Sequence, residues 1–99
     1  MTTKARKFLE SKVGPLTLGK LLMSIRLGDE MSQTEFAEKL RISKSHLCDI
    51  EQDRKSISPE RAARFARLLG YSEEQFVRLT LQGMLDDAKI PMTVSVKAA

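Results

Sequence analysis

At 99 residues the chain has room for one domain with a modest core and short extensions, and too little for a catalytic domain beside a separate sensing domain. Hydrophobic residues make up 41% and charged residues 30%, which excludes a disordered chain, and the longest apolar run, Leu21, Leu22 and Met23, excludes a membrane span. The net charge of +4 is unevenly spread: residues 1–28 hold six Lys and Arg against one Glu, and Arg61, Arg64 and Arg67 form a second basic stretch, which weakly favours polyanionic partners.

Residues 1–16 read as a basic N-terminal arm. Their start, MTTKARK, is not followed by the apolar stretch of a secretory signal, and the single cysteine, Cys48, allows no disulfide within the chain, so the expected location is the cytoplasm. After Gly14 and Pro15, Thr17 can cap a first helix whose residues Leu18, Leu21, Leu22 and Ile25 recur at i, i+3, i+4 and i+7, and Gly28 can end it. Ser32 with Glu35 has the spacing of a capping box, and Met31 with Phe36 that of a hydrophobic staple, which starts a second helix at residue 33 and carries it to about Leu40. Arg41, Ile42 and Ser43 make a three-residue turn. Ser43 caps a third helix from residue 44 to about 51, with Ile42 and Leu47 as its staple. Ser58 followed by Pro59 opens a fourth, in which Ala62, Phe65, Ala66 and Leu69 keep the helical spacing until Gly70. Ser72 with Gln75, and Tyr71 with Phe76, open a fifth that runs to about Ala88. Beyond Pro91, Met92, Val94 and Val96 alternate with Thr93 and Ser95 as in a short strand. The expected fold is therefore all-α, five helices over residues 17–88, with a C-terminal tail at 89–99 that carries a short β-strand.

The second and third helices have the spacing of a helix-turn-helix. Phe36, Ala37 and Leu40 face inward from one, Leu47 and Ile50 from the other, and Ile42 fills the corner. The third helix, KSHLCDIE, is otherwise polar: Lys44, Ser45, Cys48 and Asp49 project away from its two aliphatic anchors, and His46 lies on the flank. An α-helix fits the major groove of duplex DNA, and its leading residues reach base edges while the preceding helix crosses the backbone. The polar side is thus a candidate reading face. The plain alternative is a solvated surface.

The run Ser32-Gln33-Thr34-Glu35-Phe36-Ala37, then Leu40, Ile42, Ser43, Ser45, Leu47, Ile50 and Glu51, and the tail Arg54-Lys55-Ser56-Ile57-Ser58-Pro59 resemble the Cro and phage-repressor type of helix-turn-helix regulators, the XRE family. The resemblance covers roughly residues 17–70, and spacing, caps and apolar positions agree together. It implies a five-helix bundle of the lambda-repressor-like DNA-binding type. It also implies that Gln33 sits on a phosphate, that Lys44, Ser45, His46 and Asp49 face bases, and that Arg54 and Lys55 touch the backbone. Two positions depart from the family pattern. Arg41 stands where glycine is usual, so a left-handed conformation there costs about 1–2 kcal/mol, or the turn differs. Asp53 also stands where glycine is common, and Asp tolerates that geometry better than most residues.

The chemistry of these side chains suits the implied roles. Lys44 can bind guanine or a phosphate, and Ser45 and His46 can donate or accept at base edges. Asp49 can accept from a cytosine amino group, or pair with Lys44 or Arg41 and orient them. Arg54 and Lys55 can hold phosphates or form a solvated loop. Arg61, Arg64 and Arg67 add charge, although Glu60 and Arg64 are also spaced as a helical ion pair. Glu73 and Glu74 suit the dipole at the start of the fifth helix.

An enzyme is not expected. His46 and Cys48, two residues apart on a helix, point about 200° apart, so the imidazole is badly placed to activate the thiol. One His and one Cys do not make a structural zinc site, no glycine-rich phosphate loop is present, and no cofactor is expected. Phe8, Phe36, Phe65, Tyr71 and Phe76 are the aromatics, and most are taken by the core or the staples, which disfavours single-stranded RNA.

One helix-turn-helix reads few base pairs, so a symmetric dimer on two half-sites is expected. The fifth helix, with Val77, Leu81, Met84 and Leu85, and the strand, with Val94 and Val96, are the expected interface; the alternative is that they close the monomer's own core. Small single-domain members of the family resemble phage-type repressors or antitoxins that repress their own operon and bind a toxin protein. The arm and tail, extra to the DNA-reading unit, favour the antitoxin-like autorepressor. A module that binds a toxin partner but has lost its DNA contacts is the competing expectation.

Overall fold

The computed structural model describes residues 16–99. The basic arm therefore lies, but for Leu16, outside the described residues. Five helices follow in order: α1 Leu18–Gly28, α2 Gln33–Leu40, α3 Lys44–Glu51, α4 Pro59–Leu69 and α5 Glu73–Asp87.

Each helix starts on a hydroxyl. Thr17, Ser32, Ser43, Ser58 and Ser72 accept from the backbone N–H three residues on, at 3.0–3.2 Å, and Ser32 with Glu35 closes the full reciprocal box. These caps satisfy donors that the first turn of a helix leaves without an internal partner. Pro59 sits in the first turn of α4, where its missing N–H costs nothing. The rings of Tyr71 and Phe76 stack with centroids 6.1 Å apart, which joins the approach to α5 to its first turn.

The helix ends share one device. The N–H groups of Met31, Ile42, Arg54, Tyr71 and Ile90 donate five residues back, to the carbonyls of Arg26, Ala37, Asp49, Ala66 and Leu85, at 2.8–3.0 Å. The residue before each donor is left-handed: Glu30, Arg41, Asp53, Gly70 and Lys89. Only Gly70 is the residue that adopts this backbone without a steric cost. Arg41, with φ 61° and ψ 43°, takes the left-handed form expected of the family's glycine. Gly28 ends α1, as its position suggests, but the left-handed residue comes two positions later at Glu30.

The core joins all five helices. Leu22, Phe36, Leu40, Leu47, Phe65 and Phe76 are its largest fully buried side chains, and Met31 and Ile42 pack against it from the turns. Thr80 is buried in α5 and donates to the carbonyl of Phe76 at 3.0 Å, so its hydroxyl is satisfied. The N-terminal end of α1 is pressed against the end of α3. A Cβ on Gly19 would stand 2.1 Å from the carbonyl oxygen of Ile50, so only glycine fits. Beside that contact the Thr17 hydroxyl donates to Asp53 Oδ1 at 2.8 Å and ties the start of α1 to the loop after α3.

No strand forms among the described residues, and the expected C-terminal strand at 92–96 is absent. The tail lies against α5, held by the Gln82 side chain: its Oε1 accepts from the N–H of Val94 and its Nε2 donates to the carbonyl of Met92, both at 2.9 Å. Alternation supplies two faces but not a neighbouring strand, and without one no ladder can form. None of the described helices is long and apolar enough to cross a membrane.

Candidate nucleic-acid interface

Helix α3 is fastened from behind by Leu47 and Ile50, 0% and 3% exposed, as the sequence requires. Lys44 and Ser45 at its leading end are exposed, and His46 is half-buried on the flank. None of these three side chains has a partner among the described residues. They are free to meet a ligand, on an element whose own position is fixed.

Asp49 is different. Its Oδ1 accepts from Arg54 Nε at 2.9 Å and its Oδ2 lies 3.6 Å from Lys55 Nζ; it pairs with neither Lys44 nor Arg41. Its backbone carbonyl accepts from the N–H groups of Arg54 and Lys55 as well, at 2.8 and 3.3 Å. The second arm of Arg54 donates to Cys48 Sγ at 3.4 Å. The hydrogen bond from Arg54, with the nearby positive charges of Arg54 and Lys55, lowers the Asp49 carboxyl below the ordinary Asp value despite partial desolvation. The same bond to Asp49 raises Arg54. Lys44, Ser45, His46, Asp49, Arg54 and Lys55 thus gather on one helix and the loop that leaves it, all next to solvent.

Gln33 sits at the start of α2, as expected, and its carboxamide turns inward: Nε2 donates to Glu51 Oε1 at 3.1 Å. Glu51, whose side chain is 0% exposed, also receives Arg26 in two bonds, Nε to Oε2 at 2.8 Å and Nη2 to Oε1 at 3.1 Å. Arg26 Nη1 donates to the carbonyl of Met31 at 3.1 Å. Those bonds to Glu51 keep the guanidinium pKa raised against the opposing effect of burial. One carboxylate therefore ties α1, the start of α2 and the end of α3 together.

The turn, the two anchors and the outward polar face are all present, and a family model described as helix-turn-helix matches residues 22–76, more than half of the chain. The chain belongs to the Cro and phage-repressor type of helix-turn-helix family. It is a DNA-binding helix-turn-helix regulator of the lambda-repressor-like fold. No curated protein and no solved structure matches it. The matched span begins inside α1 and ends inside α5, so the regulator's tail lies beyond it.

The residues expected at a dimer interface divide into two groups. Met84 is 44% exposed, whereas Val77, Leu81, Leu85, Val94 and Val96 are half-buried within this one chain. Ile90 and Met92 add exposed apolar surface in the tail, where the Met92 carbonyl is held by Gln82. On α4, Arg67 pairs with Glu73 at the start of α5.

Sequence reasoning missed the Arg26–Glu51–Gln33 network as a positioning device. A signal was present: Glu51 falls one helical turn after Leu47 and next to Ile50, on the apolar side of α3, where an acidic residue demands a buried partner. It missed Gly19 for a different reason, since a close approach between α1 and α3 leaves no trace in local pattern.

Proposed function

We propose that the protein is a sequence-specific repressor that reads the major groove of double-stranded DNA with α3 and binds as a homodimer. The observation that carries this is the state of Lys44 and Ser45: exposed, without described partners, and at the leading end of a helix whose back is locked into the core. In this reading Lys44, Ser45 and His46 meet base edges, Arg54 and Lys55 meet phosphates, and the first turn of α2 at Gln33 approaches the backbone. The carboxamide of Gln33 is oriented by Glu51, which leaves its carbonyl oxygen and second amide hydrogen to act outward.

Selection of bound duplexes from a random-sequence pool, followed by footprinting, tests the claim. Lys44→Ala and Ser45→Ala should each weaken binding to the selected site by about 1–3 kcal/mol per lost base contact. Equal affinity of wild type and both variants for the selected duplex would refute it.

Dimerisation rests on the apolar residues of α5 and the tail, of which Met84, Ile90 and Met92 are exposed and Val94 and Val96 half-buried. A second copy pairing its tail in antiparallel register would supply the neighbouring strand that a single chain lacks. A monomer by light scattering at micromolar concentration, unchanged on deleting residues 90–99, would refute this part. The same exposed surface favours a second reading, an antitoxin-like autorepressor whose tail side also neutralises a toxin protein, or acts mainly as that partner-binding module. Substitutions at Lys44 and Ser45 separate the two activities, because only DNA binding should respond to them.

A further inference from the structure

We infer that Asp49 is a positioning residue for phosphate contacts and not a base reader: its carboxylate holds Arg54 and Lys55 against α3 as a preset clamp for the duplex backbone. This rests on the DNA-reading role proposed for α3. By helical spacing Asp49 belongs to the same outward face as Ser45, one turn earlier, and that face alone would make both of them readers. Their surroundings separate them. Ser45 has no described partner, whereas both carboxylate oxygens of Asp49 are engaged by cations of the following loop. An acid that met bases with its oxygens bare would also stand unscreened beside a polyanion.

The geometry suits a clamp. The loop is drawn back onto α3 by the Asp49 carbonyl, which accepts from both Arg54 and Lys55 N–H groups, and by the left-handed turn at Asp53. The Arg54 guanidinium is then fixed at two points, Nε on Asp49 and Nη2 on Cys48 Sγ. That leaves Nη1 and the second Nη2 hydrogen for phosphate oxygens, in the planar fork that such recognition uses. Fixing two long side chains before the ligand arrives removes part of the ordering cost of binding. One negative charge between two positive ones keeps the cluster net positive while limiting its attraction for arbitrary DNA.

The experiment uses the full chain, a duplex selected from a random pool, and every single-base-pair variant of that duplex, at several salt concentrations. Asp49→Asn keeps the shape and the backbone hydrogen bonds of the residue. It should shift affinity for all duplexes of the panel by one common factor and steepen the salt dependence of log K by up to about one unit, because the loop cations lose their counter-charge. A merely structural role would not move that slope. Loss of preference at a single base pair, with the rest of the panel unchanged, would make Asp49 a direct reader and overturn the inference; so would an unchanged panel and slope. In the free protein, the Arg54 Nε–H resonance should be protected from exchange and lose that protection in Asp49→Asn. A wild type with no preferred duplex would remove the reading beneath the inference, and this resonance tells the cases apart: it persists if only the DNA role fails and is absent if the tie itself does.

Discussion

Replacing Glu51 by Ala should destabilise the domain more than any other single change to a polar residue described above. The substitution deletes two charge-assisted bonds from Arg26, at 2.8 and 3.1 Å, and one from Gln33 at 3.1 Å, and leaves the guanidinium without its counter-charge. Removing one partner of a buried ion pair costs about 3–5 kcal/mol. The Arg26 side chain retains its bond to the Met31 carbonyl and is 12% exposed, so part of its charge can be rehydrated and the lower end, about 3 kcal/mol, applies. For a domain of this size each kcal/mol moves the midpoint by about 4–8 °C, so Tm should fall by roughly 12–24 °C. Urea unfolding followed by circular dichroism, with the slope compared between variants, measures the loss. The double variant Arg26→Met, Glu51→Leu should recover most of it, since packed apolar side chains replace a buried pair at little cost. A loss below about 1 kcal/mol for Glu51→Ala, or a double variant no better than the sum of the two singles, would refute the assignment of this pair as the tie between the motif's helices.

Gly19→Ala should cost about 2–3 kcal/mol in urea unfolding, because the added methyl meets a backbone carbonyl that cannot swing aside; a neutral result would show that α1 and α3 can separate at no expense. Arg41→Gly should raise stability by about 0.5–1 kcal/mol in the same assay, as relief of the left-handed backbone outweighs the added freedom of the unfolded chain. The Asp49 carboxyl, lowered chiefly by its hydrogen bond from Arg54, contributes fully above the unfolded-state value and loses its contribution only as pH falls through the lowered folded value. A carboxyl-carbon NMR titration should therefore place its midpoint below the ordinary Asp range, and Arg54→Ala should return it upward; identical midpoints would contradict the ion pair.

Helix boundaries were legible because they depend on neighbours in the chain. A hydroxyl at each start and an apolar stripe at helical spacing fixed α2, α3 and α4 within a residue, and the two anchors of α3 could be named from spacing alone. What was not legible depends on residues far apart or on backbone shape. Arg26 and Glu51 are 25 positions apart, and nothing local says that they meet. Local spacing offers Asp49 a partner on its own helix or in the turn before it, whereas the loop beyond folds back through a left-handed Asp53 and supplies Arg54 and Lys55 instead. The tail shows the converse error, in which a clear period-two pattern named a conformation that only a second strand could complete.

The way the helices terminate limits how the molecule can be divided. At Glu30 and Arg41 an unfavourable backbone bend, of order 1–3 kcal/mol each, is retained because the next residue, Met31 or Ile42, is seated among side chains contributed by other helices. Cut away from those seats, a peptide spanning residues 32–52 would straighten at its hinge and lose the angle between its two rods. The smallest fragment able to hold that angle is therefore close to the whole bundle, and transplanting the two-helix segment alone into another scaffold should carry over its letters but not its shape.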